Sequence, residues 1–198
     1  MKRLRAIISV SILTCTLTCG AQTKETARPE YYIQYIPALA DLALPLTGVD
    51  AANPLFDRII AGGAGFVATS VMVQGLKYTV REQRPDGTGF HSFPSGHTST
   101  AFLGAELVRH EYGWGWGAGA YAVATSVAVL RVSHQRHWWR DTVAGAGIGI
   151  LGANIGYWML EPCKRILDSL TGGRYDLAMA PVMDPVSRAM CASVSIRF

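Results

Sequence analysis

Three uncharged runs, Ile59 to Leu76, Tyr112 to Leu130 and Thr142 to Leu160, are each long enough to cross the hydrocarbon core of a bilayer as a helix. Backbone amides find no water there, so runs placed in lipid must satisfy their own hydrogen bonds, and helices do this. Two weaker apolar stretches accompany them: Tyr31 to Gly48, which carries Asp41, and Thr98 to Val108, which carries Glu106. Those acids need protein neighbours. All five stretches are rich in Gly, Ala, Ser and Thr, which let helix backbones approach closely in lipid. The pattern predicts an all-α helical bundle, integral to the membrane, with about five spans. Composition agrees: 49% of the 198 residues are hydrophobic and 16% are charged, which is apolar for a soluble protein. The competing fold is a soluble helical bundle with small-residue seams.

The amino end reads as an export signal. Lys2, Arg3 and Arg5 lead into the apolar run Ala6 to Leu17, and Cys19-Gly20-Ala21 offers small residues for cleavage, so residues 1–21 are expected to be removed. The alternative, lipid attachment at Cys19 or Cys15, has poor support in Thr16-Leu17-Thr18 and Ile12-Leu13-Thr14. The bundle then occupies 22–161, with its motif-bearing core at 59–160. The tail, 162–198, ends in Ser193 to Phe198, where Val194, Ile196 and Phe198 alternate with polar residues as in a strand that needs a partner. Cys163 and Cys191 are a pair that can bridge in an oxidising compartment or remain two small apolar side chains. The formal charge of +4 counts Lys2, Arg3 and Arg5, so the processed chain is close to neutral. No long basic stripe interleaved with aromatics is present, and nucleic-acid binding gains no support.

The polar residues gather where the apolar runs stop. Lys77 ends one run and Arg84-Pro85 follows; the pair is seven apart, which on a continuing helix is two turns along one face. Pro94-Ser95-Gly96-His97 opens a helix, with Ser95 as its cap and Gly96 allowing close backbone approach; the free amides there suit an anion. Arg131 ends another run, and His137 and Asp141 precede the last, spaced so that a helical turn brings the carboxylate to the imidazole. If successive helices alternate in direction, all of these fall at one end of the bundle. Fixed cations for a tetrahedral oxyanion, a nucleophile oriented by a carboxylate and a second histidine as acid are the inventory of phosphoryl transfer without a metal. Taken singly, each has a plain reading: Lys and Arg as interfacial anchors, Pro-Ser-Gly as a capped helix start, His and Asp as a structural pair. Their joint occurrence favours the chemical one.

Lys77 with six residues before Arg84-Pro85, then Pro94-Ser95-Gly96-His97, then Arg131 with five residues before His137 and three more before Asp141 resemble the signature of the type 2 phosphatidic acid phosphatase superfamily. The superfamily includes membrane lipid phosphatases, soluble bacterial acid phosphatases and vanadium haloperoxidases, all built on a helical bundle. The resemblance implies that His137 forms a phosphohistidine, Asp141 orients it and His97 protonates the leaving group. It implies phosphate oxygens held by Lys77, Arg84, Arg131, Ser95 and the Gly96 amide, with no metal and no cofactor. One departure is Leu130, where many members carry serine before the arginine.

The expected partner is a phosphorylated lipid. A processed amino end lies outside, Tyr31 to Gly48 crosses inward and Ile59 to Leu76 returns, which places Lys77 at the periplasmic face of a bacterial inner membrane. Trp138 and Trp139 suit headgroup depth. Lipid A phosphate is the first substrate expected by resemblance, then undecaprenyl pyrophosphate and phosphatidylglycerol phosphate. The alternatives are a soluble periplasmic acid phosphatase, a vanadium haloperoxidase and a non-catalytic lipid-phosphate binder.

Overall fold

The computed structural model describes residues 29–171, 176–183 and 190–197, with side chains over 29–169. The expected signal segment with Cys15 and Cys19, and the side chains of the tail beyond residue 169, lie outside the described residues, and so does any pairing of Cys163 with Cys191. The chain forms two compact units, one being Glu25–Cys163 and the other including Lys164–Phe198.

The first unit is helical. Short α1 (Glu30–Ile33) and α2 (Ile36–Ala43) are followed by a 3-10 turn, Leu44–Thr47, then by α3 (Leu55–Thr79), α4 (Gly96–Ser133) and α5 (Trp139–Thr171). The stretch expected as one helix from Tyr31 is thus divided. Pro37 opens α2 and Pro45 opens the 3-10 turn, because a ring without an N–H is tolerated at a first turn and not within a helix. The element α4 is two helices in one. Gly113, at φ 74° and ψ −173°, breaks it, and a left-handed φ costs glycine nothing. The arms then fold back on each other: Tyr121 Oη donates to Glu106 Oε2, Phe102 meets Tyr121 edge-on at 5.7 Å, and Ala101, Ala105, Ala124 and Val127 form a fully buried cluster.

Of the described helices, Leu55–Thr79 and Trp139–Ser169 are long and apolar enough to cross a membrane. That is two by length and composition, where the runs suggested about five. The arms of α4 fall short because small and polar residues dilute them and Glu106, Arg109, His110 and Glu111 cluster near the break. These buried acids have partners. Glu106 accepts from Arg109 Nε at 2.7 Å and Asn154 Nδ2 at 3.2 Å, Asp41 lies 3.4 Å from Arg58, and Glu111 accepts from the Asn53 amide at 2.8 Å and from Tyr157 Oη at 2.5 Å.

Helix α5 closes on its neighbours through glycines. A Cβ at Gly145 would stand 2.6 Å from Ser95 O, one at Gly149 would overlap Ser99 O, and one at Gly156 would overlap Ala61 O. The backbone of α5 therefore lies directly on α4 and α3, the close approach that small residues permit in lipid. In the second unit, β1 (Asp176–Met183) and β2 (Met190–Arg197) pair antiparallel with Asp176 opposite Arg197 and Met183 opposite Met190. The alternating segment 193–198 falls in β2 up to Arg197.

Gly149→Ala is expected to destabilise the detergent-solubilised protein by about 1–3 kcal/mol through overpacking, while Gly147→Ala, whose Cβ meets nothing within 4 Å, leaves it unchanged. Thermal unfolding of both variants checks this, and equal midpoints would contradict the packing described.

Candidate active site

Five chain segments meet at one end of the bundle. Lys77 lies in the last turn of α3, His97 in the first turn of α4, Arg131 in the last turn of α4, His137 just before α5 and Asp141 in its first turn. Arg84 comes from the loop between α3 and α4. The expectation of Lys77 and Arg84 on one helical face is not met: α3 stops at Thr79, and Val80 is extended at φ −103° and ψ 99°. Glu82 then bridges His91, Ser92 N donates to Glu82 O at 3.0 Å, and Arg84 N donates to Gly89 O at 2.9 Å. A β-branched pair, Thr79-Val80, followed by Arg84-Pro85 favours this extended turn over continued helix. The loop is fastened to α3, since Lys77 Nζ donates to His91 O at 2.9 Å and His91 Nδ1 lies 3.1 Å from Lys77 O.

Asp141 organises the centre. Fully buried, its Oδ2 accepts from Ser92 Oγ and from Trp138 N at 3.0 Å, and it stands 3.5 Å from His137 Nδ1. Its backbone oxygen accepts from Ser95 N at 3.0 Å. An acid three residues into a helix, reaching back to the amide at the cap, is the carboxylate half of a capping box. One side chain thereby starts α5, holds the loop before α4 and faces the imidazole. His137 is itself held through its backbone, its N donating to Arg131 O at 3.3 Å. Ser95 occupies the cap position of α4, yet its hydroxyl pairs with Thr98 Oγ1 at 2.9 Å in place of a backbone amide. The first-turn amides of α4, Gly96 among them, have no acceptor within the helix and point toward the same end.

Charge fills the space between. Burial is the largest influence on His137, holding it down at about 3, with Arg131, Lys77 and Arg84 adding to the effect and Asp141 opposing it. His97 is held down at about 4, again first by burial and then by Arg131, with Glu30 opposing and Lys77 and Arg84 adding. Both imidazoles feel the same three cations. Both are neutral at pH 7. Between pH 4 and 6.5 the folded protein carries fewer protons on His97 than the unfolded chain does, so this group's contribution to stability is lost as pH falls through that window. Among the described residues no group of three or more His, Cys, Asp or Glu is placed to hold a metal ion.

The sequence missed Ser92, Glu30 and Tyr31. Glu30, fully buried, stands 3.5 Å from Arg131 Nη1 and accepts from His134 Nδ1 at 2.9 Å. Tyr31 meets His97 edge-on at 4.9 Å and lies beneath the Arg131 guanidinium at 5.7 Å. No spacing rule links residue 30 to residue 134. Of the remaining cations, Arg136 donates to Asp86 Oδ2 at 2.9 Å and Arg140 pairs with Glu82, so these fasten the loop.

Residues 4–165 match the PAP2 superfamily. Over 148 residues the chain is 35% identical to the lipid A 1-phosphatase of Porphyromonas gingivalis, covering 73% of this chain and 33% of that protein. Over 127 residues it is 27% identical to the lipid A 1-phosphatase of Helicobacter pylori, covering 62% of this chain and 66% of the relative. The chain thus spans a third of one curated relative and just under two thirds of the other. The crystal structure of Aquifex aeolicus LpxE shares the fold, with a TM-score of 0.52 at 22% identity over 64% of this chain and 82% of that one.

A phosphate dianion entering this site would offset the cations that add to burial in keeping His97 neutral, so the imidazole should take up a proton as the anion binds. Calorimetry of orthophosphate binding at pH 6, in two buffers of different ionisation heat, should show uptake exceeding that of His97→Ala by on the order of one proton. Equal uptake in both proteins would contradict this assignment of charge.

Proposed function

The chain belongs to the PAP2 superfamily, and from that premise we propose that it is a phosphoric monoester hydrolase removing phosphate from a membrane lipid, lipid A first, without a metal. The observation that carries the reading is the placing of Lys77, His97, Arg131, His137 and Asp141 at one end of the bundle, with Asp141 Oδ2 3.5 Å from the buried His137 Nδ1. The names of the Porphyromonas and Helicobacter relatives support the choice of lipid.

In the proposed mechanism the three cations, the Ser95 hydroxyl and the Gly96 amide hold the phosphate oxygens. His137 is neutral and can attack through Nε2, because Asp141 Oδ2 faces Nδ1. The N–P bond forms as the P–O bond to the lipid breaks, and His97 gives its proton to the departing oxygen. Asp141 stabilises the cation that His137 becomes. Water then attacks phosphorus, His97 takes its proton, and phosphate leaves with His137 restored. Preorganised cations in a half-buried site lower the barrier because they need no reorganisation as charge shifts between oxygens.

The proposed setting is a bacterial inner membrane crossed about five times, with this site at the periplasmic face. The fold-back of α4 at Gly113 supports it, since it gives the successive segments alternating direction. Trp138 and Trp139, 46% and 59% exposed beside the site, suit the headgroup layer.

Detergent-purified protein is expected to release phosphate from lipid A in excess chelator, faster than from undecaprenyl pyrophosphate, phosphatidylglycerol phosphate or a soluble aryl phosphate. His137→Ala and Arg131→Ala should each abolish release, and Asp141→Asn should slow it by about four orders of magnitude. Retained release in His137→Ala would overturn the mechanism. Activity confined to the soluble ester, in protein extractable without detergent, would instead indicate a periplasmic acid phosphatase.

A further inference from the structure

The two histidines are held by different means. His137 has Asp141 at its Nδ1. His97 has no comparable carboxylate: among the described residues no hydrogen bond to its ring is found, and its orientation is set by packing. The ring against it is Tyr31, edge-on with centroids 4.9 Å apart at 73°, within the range in which aromatic pairs attract. The other side of the arrangement is Arg131, whose guanidinium carbon lies 5.7 Å from the Tyr31 centroid, close enough for a cation–π attraction.

Tyr31 is 38% exposed and sits on a helix of one turn, so something else must keep it there. Glu30 supplies the hold. Its carboxylate, fully buried, is tied to the last turn of α4 and its cap through Arg131 at 3.5 Å and His134 at 2.9 Å. The first turn of α1 is thereby pinned to the end of α4 that carries the phosphate-binding arginine, and the next side chain reaches the histidine at the start of α4.

We propose that Tyr31 is a positioning residue for the leaving-group acid: its ring, held against the Arg131 guanidinium, fixes the angle at which the His97 imidazole meets the departing oxygen. The inference rests on the reading of His97 as that acid. The proton transferred is the one His97 carries once phosphate is bound. It passes to the lipid oxygen as the P–O bond breaks, and the water that hydrolyses the phosphohistidine returns it.

Leaving-group dependence separates this role from a merely structural one. A sugar or alkyl oxygen needs a proton to depart; 4-nitrophenolate does not. The quantity to compare is kcat/KM, which reports the steps through formation of the phosphohistidine and is blind to its hydrolysis. Tyr31→Ala and Tyr31→Leu are expected to lower kcat/KM on lipid A by about 30-fold, part of the roughly 10²- to 10⁴-fold that a general acid contributes, and on 4-nitrophenyl phosphate by less than about threefold. Tyr31→Phe keeps the ring and loses only the hydroxyl beside Arg131, so any fall should be the same on both esters and the wild-type ratio of the two kcat/KM values should be restored. Tyr32→Ala, a change at a neighbour that is 68% exposed, should behave as wild type on both esters. An equal fall on both esters in Tyr31→Ala and Tyr31→Leu, or no fall on either, overturns the proposal. A wild-type protein that cleaves neither ester overturns the phosphatase reading on which it stands.

Discussion

Asp141 joins what chain order separates. Its carboxylate takes a hydroxyl from the loop before α4, a backbone amide from the start of α5 and the near approach of the His137 ring, while its own carbonyl receives the Ser95 amide. Each of these bonds alone contributes little net stability, but a buried carboxylate left without them would be costly. The ends of α4 and α5 are therefore fixed to one another by a charge that must be satisfied. That constraint also sets Asp141 Oδ2 against the imidazole Nδ1, the arrangement the proposed attack through Nε2 requires.

The same end of the bundle holds three cations together at a cost. Burial and the neighbouring cations work against the charge on Lys77 and Arg131, and the two carboxylates nearby, Asp141 and Glu30, compensate only in part. Such a site gains most from a ligand with two negative charges and several acceptor oxygens. In the proposed mechanism substrate binding and acid activation are one event, because the anion that relieves the repulsion also lets His97 take its proton. Close approach of α5, over Gly145 and Gly149, is what brings Asp141 near enough for this to happen.

Much of the site can be read from spacing. Lys77, His97, Arg131, His137 and Asp141 each lie where an apolar run begins or ends, and alternating helices carry such positions to one end. Arg84 shows the limit, because helical periodicity holds only while the helix lasts, and α3 ends before it. The fold-back at Gly113 lies inside what reads as apolar helix, and a glycine among many gives no sign that it alone adopts positive φ. Pro37 and Pro45, by contrast, mark breaks in the first apolar stretch that hydropathy overran. Ser92, Glu30 and Tyr31 are contacts between segments 49 to 104 residues apart, as for Ser92 with Asp141 and Glu30 with His134. Tertiary packing alone creates them, so local pattern carries no trace.

Everything chemical in this account turns on His137 forming a bond to phosphorus. Rapid acid-free quenching of the purified protein during turnover of radiolabelled lipid phosphate, followed by peptide mapping, tests it directly. The account predicts an acid-labile, base-stable phosphoryl group on the peptide containing His137, formed and lost at rates matching phosphate release. Label on another residue, or turnover at full rate with His137 never labelled, would contradict it.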